Sequence, residues 1–450
     1  MISAKDILKL AEKGQLPYAK VGVFDMDGVL RGKYMSGDKL ASALKKGFGF
    51  CDVVLGWDVN DQLYDNAKYT GWHTGYPDAE VRLLPETCRF IPFEVGVPLF
   101  LGEFAGAAED ICPRGLLRRV LTKAADMGFK ANAACEFEFF VFEETPHSVR
   151  EKNYKDLKNI TPGDFGYSAL RSGVHNEFYR ELLDTCSQMD MEIEGLHTET
   201  GPGVLEAAIK VDGALAAADK AALFKTVTKI LAERRGWMAT FMAKWSKDWP
   251  GQSGHIHLSL TDKKGDSVFY DEGASNTISR TMRHFIGGQQ ALMPELLAMV
   301  APTINSYRRL VPGFWAPTEA SWGVENRTCA LRAITGSPTA QRVEYRVAAA
   351  DINPYVAMAA ALASGLWGIE HEIDPDSPIE GNAYDMTFED ARQLPRSLGE
   401  AAAKFKASDA ARSLFGDAFV DHYAASREWE EREFRKAITD WEMARYFEII

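Results

Sequence analysis

The chain reads as an α+β protein of two unequal domains, a small one at the N-terminus and a large one after it. Its 450 residues exceed what a single hydrophobic core usually supports. Several segments alternate polar and apolar side chains with the two-residue period of a strand. Long helical stretches lie between them, and those in the second part are each followed by a strand with a polar face.

Taken in order, residues 1–14 read as a short amphipathic helix and not a secretion signal, because no continuous apolar run follows the start. Residues 18–32 read as two strands joined by a turn at Asp27-Gly28. A helix is expected over 38–46, then loop-rich sequence over 56–76, then short strands near 80–84 and 98–103. Together these make a small antiparallel α+β unit, which sets the domains at 1–110 and 111–450. Pro113 opens a helix, at a position where its missing N–H costs nothing, and that helix stops at Gly128. A strand follows over 136–142. Residues 152–166 are polar and irregular, a surface loop. Helices are expected near 173–188 and 214–235. Helices dominate after Asn353, including 397–408, 409–415 and 419–439. The apolar run 356–369 is too short to span a bilayer and reads as a buried helix.

Composition excludes several function classes. Lys and Arg total 51 against 64 Asp and Glu, a net charge of −13, which argues against a nucleic-acid surface and for a soluble, cytoplasmic protein. An apolar fraction of 46% and ten tryptophans indicate a well-packed globular chain. The six cysteines form no Cys-x-x-Cys pair and no zinc spacing, so they read as free thiols in a reducing compartment.

The chemical signal lies in the strands. In Cys135-Glu136-Phe137-Glu138-Phe139-Phe140, both acids share one face and Phe137 and Phe139 the other. Burying such a carboxylate pair is costly unless a cation neutralises it. Gln252 to Leu260 places Ser253, His255, His257 and Ser259 on one face, and Arg342 to Val347 does the same with Arg342, Glu344 and Arg346. Glu199 and Glu206 flank a Gly-Pro-Gly turn. Taken singly, each is better explained as a structural salt bridge or a satisfied core histidine. Jointly, five acids, one histidine and several arginines on polar strand faces describe a funnel built for a charged ligand. Oxygen ligands with a single imidazole suit Mg2+ or Mn2+ better than zinc or copper.

At this level of detail the chain resembles the glutamine synthetase superfamily, type I architecture, over nearly its whole length. The motifs are Asp27-Gly28 with Arg31-Gly32-Lys33, Glu136-Phe137-Glu138, Glu199 to Glu206, Gly254-His255-Ile256-His257-Leu258-Ser259, and Asn305 to Gly313. Trp322 to Arg327, Arg342-Val343-Glu344-Tyr345-Arg346 and Asn353-Pro354-Tyr355 follow in the same order. The resemblance implies a β-grasp-like N-terminal domain and a catalytic domain whose curved antiparallel sheet forms a funnel. It implies two or three Mg2+ or Mn2+ ions, one held by Glu138, Glu199 and Glu206 and another by Glu136, His255 and Glu344. Glu199, His257, Ser259, Arg332 and Arg342 match ATP contacts; Gly251, Arg309, Arg327 and Arg346 match glutamate contacts, with Arg327 and Arg346 also acting on the transferred phosphoryl group. The expected activity is ATP-dependent ligation of the γ-carboxylate of L-glutamate to an amine, through γ-glutamyl phosphate. The expected assembly is a homo-oligomer of stacked hexameric rings with active sites between subunits, so that Trp57 and Asp58 would act in trans.

Departures from ammonia-using members bear on the nucleophile. Gly56 to Asp61 replaces a segment whose aspartate helps bind ammonium, leaving Asp58 as the candidate there. Trp315 stands where a flap glutamate takes a proton from ammonium, and Val204 and Pro250 replace a glutamine and an asparagine. An indole accepts no proton but offers an aromatic wall. The expectation is therefore a γ-glutamyl-amine ligase with a bulky, apolar or aromatic amine. Alternatives are that Trp315 only packs while Glu319 supplies a carboxylate, that the enzyme uses ammonia with Tyr384 as a regulatory tyrosine, or that the chain is a non-catalytic, ligand-sensing relative.

Overall fold

The computed structural model describes residues 4–450. A five-stranded sheet occupies the N-terminal part, in the order Leu30–Ser36, Tyr18–Phe24, Pro98–Phe104, Asp78–Phe90, Phe48–Cys51. It is mixed and not purely antiparallel, because Tyr18–Phe24 runs parallel to Pro98–Phe104. The helix Gly37–Lys46 buries Leu40 and Ala43 beneath it. Two features of this sheet go beyond the sequence reading. Phe48–Cys51 is an extra edge strand, and Asp78–Phe90 continues through Pro85 because a register shift between Leu84 and Arg89 takes up the residue that cannot donate to the ladder.

The second sheet has nine strands and bears the polar faces. Its main path runs Trp322–Val324, Leu331–Ile334, Arg342–Tyr345, Gly254–Thr261, Lys130–Phe142, Val204–Ile209, Ile193–Thr198. All its main-path pairs are antiparallel except the first, which is parallel and lies at the edge. On the rear face Phe137 and Phe139 pack on Phe224 and Phe241, with Phe139 and Phe241 stacked at 5.2 Å. Phe224 belongs to the helix Ala214–Arg234, so the apolar half of the alternation fastens the sheet to a helical layer.

Behind that layer, Arg280–Val300 crosses Pro354–Glu370. A Cβ on Gly288 would lie 2.2 Å from the Ser364 carbonyl oxygen, and one on Gly368 2.1 Å from that of His284, so glycine is what lets these helices touch. The helix Arg280–Val300 contains Gly287-Gly288 and Pro294, which locally read as breakers, and burial along its length overrides them. The expected helix near 173–188 is two, Ala169–Val174 and Asn176–Gln188, parted at His175. Near the C-terminus Asp417–Phe434 and Asp440–Tyr446 are separate helices. No helix among the described residues is long and apolar enough to cross a membrane.

Candidate active site

Strand register assembles the site. Glu136 lies opposite His255, and Glu138 opposite Glu206. His257 lies opposite Glu344, Arg332 also pairs with Glu344, and His197 with Glu206. Directly opposed residues project to the same side, so each pairing brings two charged or imidazole groups to one face. That face forms a cleft of about 560 Å3, lined by five glutamates and five arginines together with His197, His255 and His257.

The charges are segregated within it. On one side His255 Nδ1 lies 3.2 Å from both Glu136 and Glu344, and Arg332 donates to Glu344 at 3.0 Å. Arg346 also donates to Glu344. Burial would raise Glu344, yet His255 and Arg346 outweigh it and keep the carboxylate ionised. On the other side His197 Nε2 sits 3.3 Å from Glu199 and 3.5 Å from Glu206, and no arginine reaches either acid. There burial, followed by repulsion from Glu136, Glu138, Glu199 and Glu344, pushes Glu206 well above the usual carboxylate range.

Two groups could each hold a cation: Glu136, His255 and Glu344, and His197, Glu199 and Glu206. The fit is good on two counts. The donors are mainly carboxylate oxygens, which hard divalent ions prefer, and the acid crowding that raises Glu206 is what a cation would relieve. The first group is the expected one. The second joins His197 to Glu199 and Glu206 of the other expected set. Glu138 lines the same cleft but accepts from the Ser253 amide at 2.6 Å, and burial raises its proton affinity. His197 was not anticipated. The signal was available, since Leu196-His197-Thr198-Glu199 alternates and sets the histidine beside Glu199. The Tyr167 ring, also unanticipated, stacks on His197 at 4.3 Å.

The remaining arginines form the floor and rim. Arg309 is buried and donates to the carbonyls of Val347 and Arg346 at 3.0 and 3.1 Å. Burial lowers its pKa to about 10, the mark of a cation short of anionic partners. A Cβ on Gly251 would come within 2.5 Å of the Arg309 side chain and 2.7 Å of the Ala243 carbonyl oxygen. Arg342 donates to His257 Nδ1 at 3.2 Å, and Arg327 lines the cleft with Trp315. Several buried polar atoms at this face have no protein partner: Ser253 Oγ, His255 Nε2 and Arg346 Nε. A cleft that leaves donors and acceptors unmatched is arranged for a polar ligand.

Some expected residues stand elsewhere. Ser259 lies two positions beyond His257 on the same strand face but outside the cleft lining. Asp58 is also outside it, its carboxylate taking bonds from the amides of Asn60 and Gln62 and from the Trp429 indole. Glu319 accepts from the Thr318 hydroxyl and lines a separate cavity of about 350 Å3. The Tyr384 hydroxyl is buried without a partner among the described residues, and its segment is tied to the Arg327 turn by Asn326 and Thr328.

Comparison with known proteins agrees with this geometry. Residues 110–446 match the family model of the glutamine synthetase catalytic domain. The whole chain is 45% identical to the type-1 glutamine synthetase 2 of Dictyostelium discoideum, covering 87% of that protein. It is 38% identical to a glutamate–isopropylamine ligase of a Pseudomonas species, over 99% of both chains. Among solved structures, ligand-free GmaS superposes with a TM-score of 0.85 at 26% identity, over 99% of this chain and 100% of that one.

Proposed function

For a chain that belongs to the glutamine synthetase family, we propose ATP-dependent ligation of the γ-carboxylate of L-glutamate to a primary amine, with a bulky, apolar or aromatic amine favoured over ammonia. The observation that carries the amine preference is Trp315. This residue lines the cleft, 56% exposed, with no side-chain carboxylate at its position. An indole on the cleft wall gives an amine substituent a surface to lie on and gives ammonium no proton acceptor. An arylamine is uncharged near neutral pH, so it attacks without a base to unmask its lone pair.

The residues suit the chemistry as follows. A γ-carboxylate oxygen of glutamate attacks the γ-phosphorus of ATP; ADP leaves and γ-glutamyl phosphate forms. Arg309, Arg327 and Arg346 offer forked N–H donors that fit carboxylate and phosphoryl oxygens. Arg332, Arg342 and His257, which line the cleft, would hold the nucleotide. Two or three Mg2+ or Mn2+ ions, held by the two acid–histidine groups with Glu138 beside them, would offset the charge of the phosphates. The amine nitrogen then attacks the γ-carbonyl carbon, phosphate leaves with the bonding pair, and the nitrogen loses its proton. A homo-oligomer of stacked hexameric rings would bring a neighbour's Trp57 and Asp58 to this cleft, consistent with Asp58 lying outside the cleft of its own chain. The six unpaired cysteines are compatible with a reducing cytoplasm.

Ammonia is the competing nucleophile, favoured by the 45% identity to a relative named glutamine synthetase. The deciding experiment measures ADP release and amide product with glutamate, Mg2+ and a panel of ammonia, alkylamines, polyamines and anilines. The expected result is the highest kcat/KM for an apolar or aromatic amine. Best turnover with ammonia overturns the amine reading, and absence of metal-dependent ATP binding in a thermal-shift titration overturns the enzymatic one.

A further inference from the structure

One cation beside the cleft makes contacts that the chemistry above leaves unused. Lys244 lies between the strand Met238–Thr240 and Gly251, and its main chain is clamped to the turn that leads into Arg309. Its amide donates to Asn305 Oδ1 at 2.6 Å, and its carbonyl accepts from Asn305 Nδ2 at 2.8 Å. That turn is itself fixed, because Thr303 and Ser306 donate their hydroxyls to Asp351 at 2.7 and 2.8 Å. From this rigid base the Lys244 ammonium donates to the Trp249 carbonyl and sits 4.6 Å from the centre of the Phe314 ring.

Phe314 and Trp315 both line the cleft. Their loop is held in an unusual shape, with Gly313 at φ +81 and Trp315 at φ +58, a region that costs a non-glycine residue energy. Phe314 is 38% exposed, so core packing does little to hold it. A strained, partly exposed loop needs a specific contact to stay in place, and the ammonium over its aromatic ring supplies one.

We propose that Lys244 is a positioning residue that pins the Phe314–Trp315 loop over the cleft and so keeps water from γ-glutamyl phosphate until the amine attacks. This rests on the reading that the enzyme forms that acyl phosphate. When the loop lifts, a water oxygen attacks the γ-carbonyl carbon, phosphate leaves with the bonding pair, and a proton passes to solvent. Glutamate is regenerated, and the net reaction is ATP and water to ADP and phosphate with no amide made.

The test is the ratio of ADP released to amide formed, with glutamate and whichever nucleophile the wild-type enzyme uses best. Lys244→Met and Phe314→Leu each remove one side of the contact. Each is expected to raise glutamate-dependent, nucleophile-independent ADP release about two- to fivefold, the weight of one partly exposed cation–ring contact on the open population. The double variant is expected to be no worse than either single one. Lys244→Arg, which keeps a cation for the ring, restores coupling, and KM for glutamate and ATP stays unchanged. Phe314→Leu alters an exposed side chain, so the test survives even if Lys244→Met folds poorly. Full coupling in both single variants, or additive effects in the double, overturns the proposal. A wild-type enzyme that prefers ammonia instead defeats the amine reading while the coupling ratio still tests Lys244.

Discussion

Two buried glutamates, one in each sheet, show how differently the same side chain is treated. Glu103, 1% exposed in the all-buried strand Pro98–Phe104, is met by Arg82 at 2.9 Å, Arg114 at 2.7 Å and Arg118 at 3.0 Å. Arg114 extends the network with a forked bond to Asp219 at 2.9 and 3.0 Å. Glu206, 8% exposed in the larger sheet, has only the His197 imidazole at 3.5 Å and four other acids acting on it. The first carboxylate is satisfied by the protein itself and serves the fold. The second is left short of positive charge, which is costly to the empty protein and useful only if a cation arrives.

Breaking that contrast from the Glu103 side has the largest expected effect. Glu103→Gln leaves arginines buried without their anion and should destabilise by about 3–5 kcal/mol, read from the urea midpoint. Divalent-cation affinity should not change. Glu206→Gln should do the reverse. Activity should fall on the order of 100-fold, judged from the cost of disturbing metal surroundings, while the metal-free protein should melt no lower than wild type. The pH dependence has a definite sign. Because Glu206 is raised in the folded state, that state binds a proton the unfolded chain has released, so metal-free stability falls as pH climbs above the usual carboxylate range. The Gln variant should lose less over that window, and melting curves from acid to mildly alkaline pH without metal check it. The smallest effect sharpens the comparison at the rim. Trp315→Glu places a proton acceptor at an exposed position of the cleft and should move the ratio of kcat/KM for ammonia over an apolar amine by about tenfold towards ammonia. An unchanged ratio would mean that Trp315 only packs.

The site was legible because strands convert spacing into direction. Glu136 and Glu138 share a face whatever the rest of the chain does, and the same holds for His255 with His257 and for Glu344 with Arg346. His197 carried the same signal beside Glu199, by the alternation of Leu196-His197-Thr198-Glu199. Tyr167 and Lys244 carried none: one sits on a loop and reaches His197 by stacking, the other acts through Asn305 and Phe314, far away in sequence. The fold was legible where propensity and burial agree, as in Pro113–Asp126 and Pro354–Glu370. It was hidden where they conflict, as in Arg280–Val300, whose glycines and proline are tolerated only because another helix lies against them.

From its sequence alone this protein owes the alternation that makes two-faced strands, the inventory of acids, imidazoles and arginines on one of those faces, and an indole at position 315. Which of those groups become neighbours was decided only in three dimensions, by strand register and by loops brought together from distant parts of the chain. The physical reason is that side-chain direction is a local property of the backbone, whereas the energy of a charge depends on every other charge within a few ångströms, wherever in the chain it comes from.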